Sequence, residues 1–202
     1  MSSYEHMSDD YLRNNYRPDV YQLSIYSIDY KKLKAKGISL ISFDIDDTIV
    51  SLENFKGPSK NAITLFENLK SDGFTIVLLT NAGNARARRI SRALGVGYVS
   101  DAEKPSTDSF KTIMSHFDLK ESQMAHVGNS LRYDVAGGNV AGITTCLVRR
   151  KGLFTKMGHK LSKTKKLEEE LKARKIWCKH HVKHDNDQYY QFGETPAYLR
   201  VK

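Results

Sequence analysis

Cysteine is almost missing from this sequence. There are two in 202 residues, Cys146 inside an apolar run and Cys178 inside a basic one. A pair so placed makes no disulfide framework, so nothing points to an oxidising compartment. No uninterrupted apolar stretch approaches the roughly 20 residues of a membrane-spanning helix. Residues 1–10 are polar and lack the apolar core of a secretory signal, so a cytoplasmic location is expected, with peripheral membrane attachment compatible with it. Internal repeats are also lacking, which sets solenoids aside. What is present is an ordinary globular composition, 40% hydrophobic and 27% charged, at a length that suits one domain with appended segments. Acidic residues are scarce in one place only. Residues 150–202 hold 14 Lys/Arg against 6 Asp/Glu, whereas the first 149 residues hold 18 against 17, so nearly all of the net charge of +9 belongs to the C-terminal quarter. Such an extension suggests an anionic partner, a membrane surface or nucleic acid, with plain solubility as the alternative.

From Ser39 onwards strand-like and helix-like segments alternate. Apolar runs at 39–43, 74–79, 96–99, 124–127 and 143–148 read as strands, and 59–70, 84–94, 106–116 and about 131–140 have helical periodicity. Gly73, Gly95 and Gly142 fall where helices should stop, in left-handed terminal positions. The expectation is an α/β, doubly wound, Rossmann-like parallel sheet of about five strands, covered on both faces, with the strand carboxyl ends gathered on one edge where ligands bind. Residues 1–37 lead into a core at 38–150, and 151–202 form a basic helical extension and tail. Within that extension Leu167 and Leu171 stand four apart, while "KKLEEELKARK" reads as a solvated face.

The stretch "SFDIDDTIV" (42–50) ends the first of these strands with three carboxylates in four positions. Like charges so close repel, so the arrangement needs a cation, a reaction, or merely solvent to explain it. Asp44 falls at the carboxyl end of the strand and Asp46 two residues later. Such a pair suits a hard cation held by oxygen, or a nucleophile with an acid/base. Asp47 reads as a turn residue. Other strand ends add Thr80 and Asn81 as hydrogen-bonding groups, Lys104 as a cation for an anionic substrate, and Asn129 and Asp134 as oxygen ligands. Acid, donor, cation and second acid at successive strand ends form a constellation for phosphate and magnesium.

"DIDDT", "LLTN", Lys104-Pro105 and "GNSLRYD", in this order and spacing, resemble the four motifs of the haloacid dehalogenase-like superfamily. The resemblance implies magnesium-dependent phosphoryl transfer. Asp44 would be the nucleophile that forms an aspartyl-phosphate, and Asp46 the general acid/base. Thr80, Asn81 and Lys104 would bind the substrate phosphate. Mg2+ would be held by Asp44, the main-chain carbonyl of Asp46, Asn129 and Asp134. Asn129 departs from the pattern, which more often has Asp there, and this removes one negative charge from the metal site. Residues 16–176 also resemble the subgroup IIIA phosphatases related to phosphatidylglycerophosphate phosphatase, which makes a phosphorylated glycerolipid the leading substrate. Only 31 residues separate Thr48 from Thr80 and 23 separate Thr80 from Lys104, too few for an inserted cap domain. The alternatives are a nucleic-acid end phosphatase, a small-metabolite phosphatase, and a binding or regulatory module without turnover.

Other features carry plainer readings. Arg86, Arg88, Arg89 and Arg92 at helical spacing read as a solvated face more than as an anion patch. "CKHHVKH", with Cys178, His180, His181 and His184, lacks a second ligand pair at metal-site spacing. Trp177 suits an interfacial anchor or packing on the body of the protein equally well.

Overall fold

The computed structural model describes residues 4, 6–54, 56–149 and 163–177. Its elements are α1 (Asp9–Tyr16), β1 (Val20–Gln22), α2 (Tyr30–Ala35), β2 (Leu40–Phe43), α3 (Lys60–Ser71), β3 (Thr75–Leu79), α4 (Asn84–Leu94), β4 (Gly97–Val99), α5 (Asp108–His116), β5 (Met124–Gly128), α6 (Ala136–Val140), β6 (Thr144–Val148) and α7 (Lys163–Ala173). The strands form one parallel sheet in the order β1-β6-β5-β2-β3-β4. It has one strand more than expected. β1 is three residues long and pairs with β6 at the sheet margin, Val20 opposite Cys146, and is too short to show a period. A side chain pins it there, because the Asp19 carboxylate accepts the Thr145 N–H at 2.9 Å.

Alternation along the strands sends apolar groups to both faces. Ile41 and Phe43 join a cluster with Leu33, Leu65, Phe66, Leu69 and Ile90, which packs α2, α3 and α4 on one side. Leu40 and Leu79 face the other side with Phe110, Ile113 and Met124, under α5. Burying one such side chain contributes about 1.5–3 kcal/mol, which is why the strands hold their register. Helix ends follow local chemistry: the Ser59 hydroxyl caps α3 by accepting the Ala62 N–H, and Gly73, Gly95 and Gly142 take φ of 84°, 62° and 77°.

A third cluster joins α1 and α7 to the body. Leu12 of α1 and Leu167 and Leu171 of α7 are buried with Leu131, Val135 and Leu147. Leu167 and Leu171 thus form an inward stripe, and the charges around them pair along the helix, Lys172 with Glu168 and Lys165 with Glu169. Trp177 packs edge-on against Tyr21 at 5.2 Å, with the Lys172 ammonium over its ring. The Cys178/His180/His181/His184 group and the basic residues beyond position 177 lie outside the described residues. No helix among the described residues is long and apolar enough to cross a membrane. One helix lies between β2 and β3 and one between β3 and β4, so among the described residues no domain is inserted over the strand ends.

Candidate active site

Parallel pairing makes the site a matter of register. Phe43 lies opposite Leu78 on β3 and Val127 on β5, so the residues just beyond them share one edge. Asp44 leaves β2 there with its N–H still bonded to Val127 O at 2.9 Å. Lys104 follows β4 and is buried at 4% exposure. Its ammonium has three protons and finds three acceptors: Asp44 Oδ1 at 2.9 Å, Asp134 Oδ1 at 2.5 Å and Leu79 O at 2.9 Å. The Asn81 side chain is engaged with the main chain of Lys104. Its carbonyl accepts the Lys104 N–H at 2.8 Å and its amide donates to Lys104 O at 2.9 Å, so it clasps the main chain that delivers the lysine. Thr80, 1% exposed, accepts the Ala82 N–H at its hydroxyl, a role that leaves the O–H to donate elsewhere.

Asp134 arrives from the other side. After β5 the chain makes one π turn, Leu131–Val135, before α6, and the Ser130 N–H donates to Asp134 Oδ2 at 2.9 Å. Gly128 permits this approach, since a Cβ there would overlap the Asp134 carboxyl group. Two residues that sequence reasoning passed over complete the network. His126, buried in β5, places Nε2 3.1 Å from Asp134 Oδ1 and Nδ1 2.8 Å from the Ser42 hydroxyl. Facing a carboxylate, Nε2 carries the proton, so a neutral ring accepts the Ser42 O–H at Nδ1. A lone histidine in an apolar strand gives no sign of this in the sequence. Gly128 left a weak one, a glycine just before Asn129.

Burial and neighbours split the two carboxylates. Burial pushes Asp44 up to about 6, helped by the negative charges of Asp134 and Asp46 and opposed by Lys104. Burial also works against Asp134, yet the Lys104 cation and the His126 hydrogen bond hold it well below the usual carboxylate range. Lys104 would be lowered by burial, but its two acidic partners raise it. Burial lowers His126, in keeping with a neutral ring.

Asp46 lies at the rim of the site. The Arg86 guanidinium of α4 donates from Nε to Asp46 Oδ1 at 2.6 Å. Arg88, Arg89 and Arg92 are exposed, as expected of a solvated face, but Arg86 turns inward and departs from that reading. Asp47 takes φ of 60° and accepts the Leu52 N–H at 3.0 Å, as a turn residue does. Asn129 donates from Nδ2 to Asp46 O and, at 3.0 Å, to the Thr48 hydroxyl, which itself donates to Asp44 Oδ2 at 3.2 Å. The structure therefore brings Asp44, Asp46, Lys104, Asn129 and Asp134 into one connected network.

The Asp44 and Asp134 carboxylates and the Asp46 carbonyl offer oxygen donors, and Asn129, whose amide nitrogen here donates to the Asp46 carbonyl, would add its oxygen by turning its amide over; such a set suits a hard divalent cation that keeps some of its water. Among the described residues no third His, Cys, Asp or Glu joins them in a metal-holding group. Two carboxylates around one ammonium leave the interior with an excess negative charge, so the donor set fits such an ion.

A family model described as haloacid dehalogenase-like hydrolase matches residues 56–142, a span that includes Thr80, Lys104, Asn129 and Asp134 but begins after Asp44. The Probable phosphatase YqeG of Bacillus subtilis (strain 168) is 29% identical over 137 residues, covering 68% of this chain and 79% of that one. Among solved structures, an uncharacterized protein from Listeria monocytogenes serotype 4b aligns over 54% of this chain and 76% of its own, with 18% identity and a TM-score of 0.47. The 3-deoxy-D-manno-octulosonate 8-phosphate phosphatase from Moraxella catarrhalis, in complex with magnesium, phosphate and KDO, aligns over 81% and 98%, with 15% identity and a TM-score of 0.45. Likenesses this loose identify neither a substrate nor a metal.

Proposed function

We propose that this chain, a haloacid dehalogenase-like phosphatase, hydrolyses a phosphomonoester through a phosphorylated Asp44, and that its substrate is an anionic phospholipid such as phosphatidylglycerophosphate. The observation that carries the chemistry is the Lys104 ammonium shared between Asp44 and Asp134, with Asp46 two residues beyond Asp44. An oxygen of Asp44 attacks phosphorus, the bond to the leaving oxygen breaks, and Asp46 gives that oxygen its proton. Asp46 then takes a proton from water as the water oxygen attacks phosphorus, which frees orthophosphate and restores the Asp44 carboxylate. Lys104 balances the charge on Asp44 and the phosphoryl group, and the Thr80 hydroxyl donates to a phosphoryl oxygen. Asp44, Asp134, Asn129 and Asp46 O would hold magnesium, which when bound supplies further positive charge against the phosphoryl oxygens.

The lipid reading rests on the mouth of the site. The uncapped edge admits a large headgroup. Leu52, after β2, and Tyr133, after β5, are each 47% exposed, and Lys56 and Arg132 are exposed near them in sequence. Exposed apolar and basic groups together suit an anionic, amphipathic surface. The test is a magnesium-dependent activity screen of p-nitrophenyl phosphate, phosphatidylglycerophosphate in vesicles, a phosphorylated oligonucleotide and a sugar phosphate. The proposal expects the lipid to give the highest kcat/KM. Turnover of the oligonucleotide or sugar phosphate above the lipid would overturn the substrate assignment.

A further inference from the structure

Arg86 is the one arginine of its helix that faces the site, and the reaction as written gives it nothing to do. Its guanidinium spends three of its five N–H groups: Nε on Asp46 Oδ1 at 2.6 Å, Nη2 on Ser51 O at 3.3 Å and Nη1 on Asn54 O at 3.5 Å. The other two N–H groups have no partner among the described residues. With 16% of its side chain exposed, the arginine is reachable from solvent but held in place, and it stitches the loop after β2 to α4. Its position is on the leaving-group side, because it bonds the carboxylate that delivers the leaving oxygen its proton. Were Asp46 to turn to that oxygen, the Nε bond would be given up and a planar cation would face whatever is attached to the leaving group. Guanidinium binds carboxylate and phosphate oxygens in pairs, and a half-buried cation favours an anionic partner more than an exposed one does.

We propose that Arg86 is a specificity-determining residue, which selects phosphomonoesters whose leaving group carries a second anionic group. The inference rests on the phosphatase reading above and narrows it to the class of doubly anionic substrates. A phosphodiester supplies that group in either a phospholipid or a nucleic-acid end.

The test compares kcat/KM ratios in the intact protein with magnesium. 3-Phosphoglycerate and glycerol 3-phosphate share three carbons and differ by a carboxylate. Phosphatidylglycerophosphate vesicles and a 3′-phosphorylated oligonucleotide separate the two phosphodiester sources. The wild type should prefer 3-phosphoglycerate over glycerol 3-phosphate by at least about tenfold, and Arg86→Ala should bring that ratio to near one. Arg86→Lys should retain part of it, since charge remains and the paired donors do not. An unchanged ratio in Arg86→Ala, or no preference in the wild type, would overturn the proposal; should Arg86→Ala fail to fold, Arg86→Lys decides, a ratio below the wild type's supporting the proposal and an equal one overturning it. If the wild type turns over no p-nitrophenyl phosphate, the phosphatase reading fails first, and the two failures are distinct.

Discussion

The ends of β2 and β5 each send a carboxylate to the same ammonium, and the two carboxylates meet different fates. Asp134 accepts from Lys104, from His126 and from the Ser130 N–H, and is held well below the usual carboxylate range. Asp44 has Lys104 and Thr48, faces two other carboxylates, and is pushed up to about 6. The lesson is a division of labour. The β5 end is satisfied and holds the lysine in place, while the β2 end carries a less satisfied carboxylate, the pattern expected if Asp44 is the reacting group.

The comparison can be broken by making one substitution at each position. Asp44→Asn should lower turnover of p-nitrophenyl phosphate by about 10³-fold or more, since the covalent route is lost. In chelator at neutral pH the same variant should melt higher than wild type. The folded pKa of Asp44, about 6, lies above the ordinary 3.8. Between those values the native state binds more protons than the unfolded state, so ionising Asp44 costs stability as pH rises through that window. Asp134→Asn should do the reverse. Its folded pKa is depressed, so its contribution is present above the ordinary value and lost as pH falls, and removing it leaves Lys104 short of a buried partner at about 3–5 kcal/mol. Calorimetry of the two variants checks both signs; a shift in the same direction would end the comparison.

His126 offers a finer probe. His126→Phe should keep the packing on Phe110, whose ring stands edge-on at 5.1 Å, yet lose the hydrogen bond to Asp134. Turnover should fall by about ten- to a hundredfold, the cost of about 1.5–3 kcal/mol for a hydrogen bond to a charged group, with His126→Gln in between. Equal losses in both variants would make His126 a packing residue.

The smallest effect belongs to Asn129. An Asp there would turn an oxygen towards Asp46 O, and two oxygens need a cation between them. The Asn129 amide instead donates to that carbonyl and holds the pair together by itself. Asn129→Asp should therefore lower the magnesium concentration for half-maximal activity several-fold. An unchanged or raised requirement in a magnesium titration would make Asn129 structural.

Much of this was legible in the sequence. Five strands and the helices between them follow from apolar periodicity, and α4 was expected and found at 84–94. Asp44, Lys104 and Asp134, far apart in sequence, meet because parallel topology gathers strand ends. What stayed hidden depends on contacts that leave no pattern. β1 has three residues and borrows its order from β6. Asn81 looks like any polar strand-end residue until its bonds to Lys104 are seen. Arg86 is indistinguishable from its three neighbours on α4, because helical spacing cannot say which of four arginines finds a carboxylate.

The central claim, that Asp44 is the nucleophile, has a direct chemical test. The enzyme is quenched in acid during turnover of p-nitrophenyl phosphate with magnesium, treated with borohydride, and its peptides are read by mass spectrometry. An aspartyl-phosphate is reduced to an alcohol and a free carboxylate is not. The account predicts the reduced side chain at Asp44 and at no other acid. Turnover that leaves Asp44 unreduced, or that marks Asp46 instead, would contradict it.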